Sequence, residues 1–167
     1  MGFLELFKSK THSNNIVSDL KSIEDFFNID IHRLFDLSPR FEYSNKNKEG
    51  VTVSHYGLKI NPSQLSIFNQ IEIISWEGKS TVNLVFQSES NTVSNELKSF
   101  IDFCVEKYGL DNLQRGSIVE KDYAHLGIGT FSRMWGNNVW ISNDGENHYL
   151  ELTLFSVNQK RQINETT

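Results

Sequence analysis

The chain has 167 residues, a formal net charge of −5, 38% apolar residues, twelve Phe and one Cys. Its size and apolar content suffice to bury a core, which excludes an intrinsically disordered polymer. The acidic balance weighs against nucleic-acid binding, which needs a Lys/Arg surplus to neutralise phosphates; the single Cys excludes an internal disulfide framework and fits a reducing, cytoplasmic setting; and no apolar run is long enough to span a bilayer.

At the N-terminus, Phe3, Leu4 and Phe7 form a short apolar stretch that Glu5 interrupts. The positive charges Lys8 and Lys10 follow that stretch, the reverse of a secretory leader, so the segment is read as an arm docked on the body. One helix is predicted over 14–27, its main stripe within 16–27, from Ile16, Val17, Leu20, Ile23, Phe26 and Phe27 at helical spacing. Residues 29–37 are ambiguous, with Asp30 placed to cap a short helix through Phe35. Ser38-Pro39 then breaks it, because the residue before Pro avoids the helical region.

From Phe41 the pattern turns to strands, over 41–43, 51–60, 67–76 and 81–86, with turns at 44–50 and 77–80. Gly78-Lys79-Ser80 has the ending of a phosphate-binding loop, but Ile73 stands where that pattern needs its first glycine. It reads as a hairpin turn. The second principal helix is predicted over 95–108, with Ser94 as N-cap. Leu97, Phe100, Ile101, Cys104, Val105 and Tyr108 give its buried stripe, and Gly109 its left-handed stop. Residues 110–116 read as loop, 118–123 as a strand, and Gly127-Ile128-Gly129 as a bend rather than a dinucleotide fingerprint.

The last strands, 131–135, 139–143 and 148–155, are set in register by two turn signals, Asn137-Asn138 and Asp144-Gly145. Two-residue loops place Trp135 opposite Trp140, Met134 opposite Ile141 and Trp140 opposite Tyr149. One face then carries Met134, Val139, Ile141, Leu150, Leu152 and Leu154, the seat for the helix stripe. The other carries Phe131, Arg133, Trp135, Trp140, Tyr149, Glu151, Thr153 and Phe155. A solvated sheet face should be mostly polar; this one is aromatic, so something is expected to cover it.

Both halves of the chain, 14–87 and 94–158, read as helix followed by strands, with Ile16, Leu20, Ile23 and Phe27 matching Leu97, Ile101, Cys104 and Tyr108 in spacing. That pattern raises a pseudo-repeat within a single domain over 1–160, followed by a polar tail at 161–167.

Chemistry-bearing residues are sparse. The five histidines show no pair at metal-ligating spacing on a helix. Asp122 and His125, with Glu120 near, could meet in a turn and hold a ligand or move a proton. Cys104 falls inside an apolar stripe, where burial raises the thiol pKa and blunts its reactivity. Arg133 is placed to stack on Trp135 or Tyr149, to pair with Glu151, or to stitch the sheet to another layer.

The sequence therefore predicts an α+β fold with a mainly antiparallel sheet and two principal helices, without cofactor or metal. The expected function is non-enzymatic binding of another protein, of the inhibitor, immunity or specialised-chaperone kind. The contact residues would be Phe131, Arg133, Trp135, Trp140, Tyr149 and Glu151. Two alternatives are a small-ligand or hydrolase site around Glu120, Asp122, His125 and Arg133, and a homodimer seam on the aromatic face.

Overall fold

The computed structural model describes residues 21–27, 30–59, 68–88, 95–143 and 149–158. The expected N-terminal arm, residues 14–20 of the first helix, Ser94, the Asp144-Gly145 turn, His148 and the tail lie outside them. The fold is α+β. Helix α1 (Lys21–Phe27) and a 3₁₀ turn (Ile31–Leu37) precede four strands: β1 (Arg40–Lys46), β2 (Thr52–Lys59), β3 (Gln70–Trp76) and β4 (Thr81–Gln87). Then come α2 (Asn95–Tyr108), α3 (Glu120–Gly127), β5 (Ser132–Trp135), β6 (Val139–Asn143) and β7 (Leu150–Asn158). All seven strands form one antiparallel sheet in the order β1-β2-β3-β4-β7-β6-β5. Two meanders meet where β4 pairs β7.

Local chemistry sets these elements. Asp30 caps the 3₁₀ turn by accepting from the His32 N–H at 3.1 Å, and Ser38, left-handed at φ 53°, ends it. The β1–β2 turn closes on Asn47, whose side-chain oxygen accepts from the N–H groups of Glu49 and Val51. Gly78 supplies the positive φ of the β3–β4 turn, and the Lys79 N–H returns to the Trp76 carbonyl.

In α2 the predicted stripe is the buried one: Leu97, Phe100, Ile101 and Cys104 are inaccessible, with Val105 and Tyr108 packed alongside. Burying Leu97, Phe100 and Ile101 contributes about 1.5–3 kcal/mol each. Gly109, at φ 83°, ends the helix with its N–H on the Val105 carbonyl.

The inner face of the sheet carries Ile71, Ile73, Val82, Leu84, Phe86, Leu150, Leu152 and Leu154 against the helices. Phe27 stacks between Phe86 and Phe100, at 5.3 and 5.5 Å, tying α1, β4 and α2 into one aromatic centre.

Two expectations are corrected. Residues 120–127 form a helix, where a strand was expected over 118–123. The β-branched Ile118-Val119 pair imitates a strand, but the Asp122 carboxylate accepts from the Val119 N–H at 2.9 Å and so secures a helical first turn. Second, β5 and β6 are joined by three residues, 136–138, not two. Trp135 therefore pairs with Val139, Arg133 with Ile141 and Met134 with Trp140. An odd loop inverts parity, so Phe131, Arg133 and Trp135 point into the core and Met134 points out. Trp140 pairs with Thr153 rather than Tyr149, a shift of four residues that preserves its face.

Candidate functional site

Residues directly opposite one another in an antiparallel sheet project to the same side. On the outer face one such row crosses all seven strands: Arg40, Gly57, Glu72, Val85, Thr153, Trp140 and Met134. A neighbouring row runs through Tyr43, His55, Ile74 and Asn83, and a third through Lys59, Gln70, Gln87, Glu151, Ser142 and Ser132. The buried apolar side chains of the helices belong to the inner core. On the outer row Val85 and Thr153, at the centre of the sheet, are buried, while Trp140 and Arg40 toward its two edges are exposed.

That face is aromatic at both ends. Trp140, 38% exposed, stacks on Phe155 with ring centroids 6.3 Å apart. Its indole N–H donates to the Ser132 hydroxyl at 2.9 Å. At the other end Tyr43, 49% exposed, stacks on His55 at 4.2 Å, and His55 Nδ1 lies 2.6 Å from Glu72 Oε1. Two further polar pairs lie within the face: Gln87 donates to Glu151 at 3.0 Å and Arg40 to Glu42 at 3.1 Å. Covering groups that already hold hydrogen bonds costs less than covering orphans.

Gly57 opens a hollow in this face. A Cβ there would lie 2.5 Å from Glu42 Oε1, so a side chain at 57 would displace that carboxylate from its place over β2. The hollow has a volume of about 520 Å³ and is lined by Ser38, Arg40, Glu42, Gly57, Leu58, Lys59 and Gln70. Lys59 forms no ion pair among the described residues.

The inner end of β5 holds a different cluster. Arg133, 1% exposed, donates to Asp122 Oδ2 at 2.7 Å, to the Gly116 carbonyl at 3.0 Å and to Asp111 Oδ2 at 3.3 Å. Asp111 also accepts from Arg115 Nε at 2.7 Å and from the N–H groups of Leu113 and Arg115. Two arginines face two aspartates, so the cluster is formally neutral. It fastens the α2–α3 connection to the sheet. Arg115 and the Asn112 N–H further occupy the Ser132 and Met134 carbonyls along the β5 edge.

The structure thus divides the residues singled out by sequence. Trp140 and Glu151 share the outer face, with Tyr149 exposed at the start of the β7 segment; Phe131, Arg133 and Trp135 lie in the core. Arg133 binds two aspartates instead of Glu151 or a ring. Around α3, Asp122 is buried on Arg133, His125 Nδ1 lies 2.9 Å from the Thr130 hydroxyl, and Glu120 is exposed. Each has its own surroundings, and they do not converge. Cys104 is buried, which pushes its thiol far above the ordinary range. Among the described residues, no three His, Cys, Asp or Glu side chains are placed to hold a metal ion, and no helix is long and apolar enough to cross a membrane.

Sequence reasoning missed the Tyr43–His55–Glu72 group and the role of Gly57. The alternation in 71–76 was the available signal, since it sets Glu72 and Ile74 opposite the buried Ile71 and Ile73. Comparison with family models, with curated proteins and with solved structures finds no match for this chain.

Proposed function

We propose that this chain is a non-enzymatic protein-binding domain whose partner lies against the outer face of the sheet. One observation carries the reading: half-exposed aromatic rings stand on the sheet face opposite the one that the buried apolar side chains of the described helices pack on, beside the hydrogen-bonded pairs His55–Glu72 and Gln87–Glu151. Trp and Tyr are the residue types on which binding energy concentrates, because they bury much area with few rotors. The inhibitor, immunity and chaperone roles expected from the sequence all need such a surface. The contact set shifts with the register, to Tyr43, Ile74, Trp140, Tyr149, Glu151 and Phe155.

A hydrolytic or ligand site around Asp122, His125 and Arg133 is less well supported. Arg133 is buried and its polar contacts are intramolecular, leaving no open site at which Asp122 could act as a base. A homodimer seam would use the same outer face and is separated by mass.

The test compares tagged full-length wild type with Trp140→Asp and with Leu113→Asp, an exposed loop control. The readouts are co-purification from native extract and light scattering of the isolated proteins. A stoichiometric partner retained by wild type and Leu113→Asp but lost from Trp140→Asp is the expected result. Equal retention by Trp140→Asp overturns the proposal. A wild-type dimer that Trp140→Asp dissociates replaces the foreign partner with a second copy.

A further inference from the structure

We propose that the partner polypeptide presents an arginine that seats over Ser142, between the indole of Trp140 and the carboxylate of Glu151. This rests on the docking reading and names the chemistry that the face recognises. Charge, the partners of Glu151 and the register of the strands point to it.

Strands β4, β5, β6 and β7 carry two charged residues, Arg133 and Glu151. Arg133 lies in the core on Asp111 and Asp122. Glu151 is therefore the one charge that these four strands place on the outer face. At the β5 edge Arg115 is paired with Asp111. The cations Arg40 and Lys59 stand on β1 and β2, across the sheet, matched in number by Glu42 and Glu72. Lys79 lies over the Trp76 ring in the β3–β4 turn, next to Glu77. The aromatic end of the face is thus acidic, on a chain with a net charge of −5, which favours a basic partner.

Three glutamates stand on described strands. Glu42 pairs with Arg40 and Glu72 with His55, whereas Glu151 accepts from the neutral amide of Gln87 at 3.0 Å. That bond orients the carboxylate without neutralising it.

Register supplies the seat. Ser132, Ser142, Glu151 and Gln87 lie opposite one another in one row. Trp140, two residues before Ser142 on β6, donates its indole N–H to the Ser132 hydroxyl at 2.9 Å, so the ring borders that row. Stacking on Phe155 steadies it. The short Ser142 side chain then stands about 7 Å along β6 from Trp140 and about 5 Å across from Glu151. Tyr149, 43% exposed, precedes Glu151 by two residues. A guanidinium is planar and weakly hydrated, so it can stack on a ring while donating to a carboxylate.

The experiment titrates the ¹⁵N-labelled full chain with acetyl-Ser-Thr-Arg-Thr-Ser-amide, and with the same peptide carrying neutral citrulline in place of arginine, at matched ionic strength. The arginine peptide is expected to shift the Trp140 indole N–H together with the amides of Ser142 and Glu151. It should bind about tenfold more tightly than the citrulline peptide, the combined worth of a cation–π contact and a partly exposed ion pair. Glu151→Gln keeps an acceptor for Gln87, so it should leave the thermal melt unchanged and cut that ratio to about threefold, the cation–π share. Equal binding of the two peptides, with Trp140 shifting in both, overturns the arginine seat and leaves the docking face standing. A ratio unchanged by Glu151→Gln overturns the part given to that carboxylate. Shifts confined to acids elsewhere, such as Glu77 or Glu120, overturn the location. Absence of shifts with either peptide overturns the inference entirely, while the docking reading answers separately to co-purification.

Discussion

Trp135 and Trp140 stand five residues apart on paired strands, yet one is 1% exposed beneath the helices and the other 38% exposed on the opposite face. Trp135 donates its indole N–H to the Gly109 carbonyl at 3.1 Å, joining β5 to the end of α2. Trp140 donates to Ser132 on the neighbouring strand and stacks on Phe155, so its partners never leave the sheet. The inner face thus joins separate parts of the chain, whereas the outer face satisfies its groups side by side. Stability is concentrated on one side, and the other is left with rings whose removal the fold should withstand.

The largest expected effect tests the inner side. Trp135→Ala empties a core position and orphans the Gly109 carbonyl, so urea unfolding should show a loss of about 3–5 kcal/mol. Asp122→Ala follows, at about 3 kcal/mol, because it leaves the buried Arg133 with a single acidic partner at 3.3 Å. The Nε of that arginine already lacks a partner among the described residues, which leaves little slack. A loss below about 1 kcal/mol for Asp122→Ala would mean that water reaches the cluster, and the division between faces would be weaker than the burial implies.

Trp140→Ala sharpens the same comparison. It removes a stacked but half-exposed ring, so the expected loss is about 1–2 kcal/mol, drawn from the Phe155 contact and modest burial. Acrylamide should quench Trp140 far better than Trp135 in the two single-Trp variants, each also lacking Trp76. If Trp140→Ala instead costs as much as Trp135→Ala and its ring is shielded in a proven monomer, the outer face is covered within the chain itself. The proposed docking surface would then be wrong.

How far this division was legible in the sequence depended on loop arithmetic. Helix α2 was readable because six apolar residues keep helical spacing up to Gly109, and that signal needs no partner. The shared face of Trp140 and Thr153 was also readable, since an even shift along β7 preserves parity. The face of β5 was not: Gly136-Asn137-Asn138 suits a two-residue or a three-residue turn, and the odd count inverts every side chain from Phe131 to Trp135. Hydropathy made that worse at Arg133, a charge that enters a core only when paired. Its partners Asp111 and Asp122 sit 22 and 11 residues upstream, in segments without periodicity. The candidate site on β1–β3 was hidden for a related reason. His55 and Glu72 are 17 residues apart and become neighbours only once the β2–β3 register is fixed.

The smallest effect belongs to a charge that lies outside both faces. Asp102 follows the fully buried Ile101 on α2 but turns to the surface and pairs with Lys98 one turn earlier. The hydrogen bond from the Lys98 ammonium holds the Asp102 carboxyl below its ordinary range. A carboxylate with a depressed folded pKa adds stability that is fully present above its unfolded value, near 3.8, and fades as pH falls through the folded value. The pair is partly exposed and screened by solvent, so its contribution is modest. Asp102→Asn should therefore lower the melting midpoint by less than about 2 °C at pH 7. The gap from wild type should shrink as pH drops below 3.8 and narrow again in high salt. Melts at pH 7 and pH 3, each at low and high salt, measure both trends. A gap that widens in acid would reverse the sign and show that Asp102 is stabilised in its protonated form, which the Lys98 contact forbids.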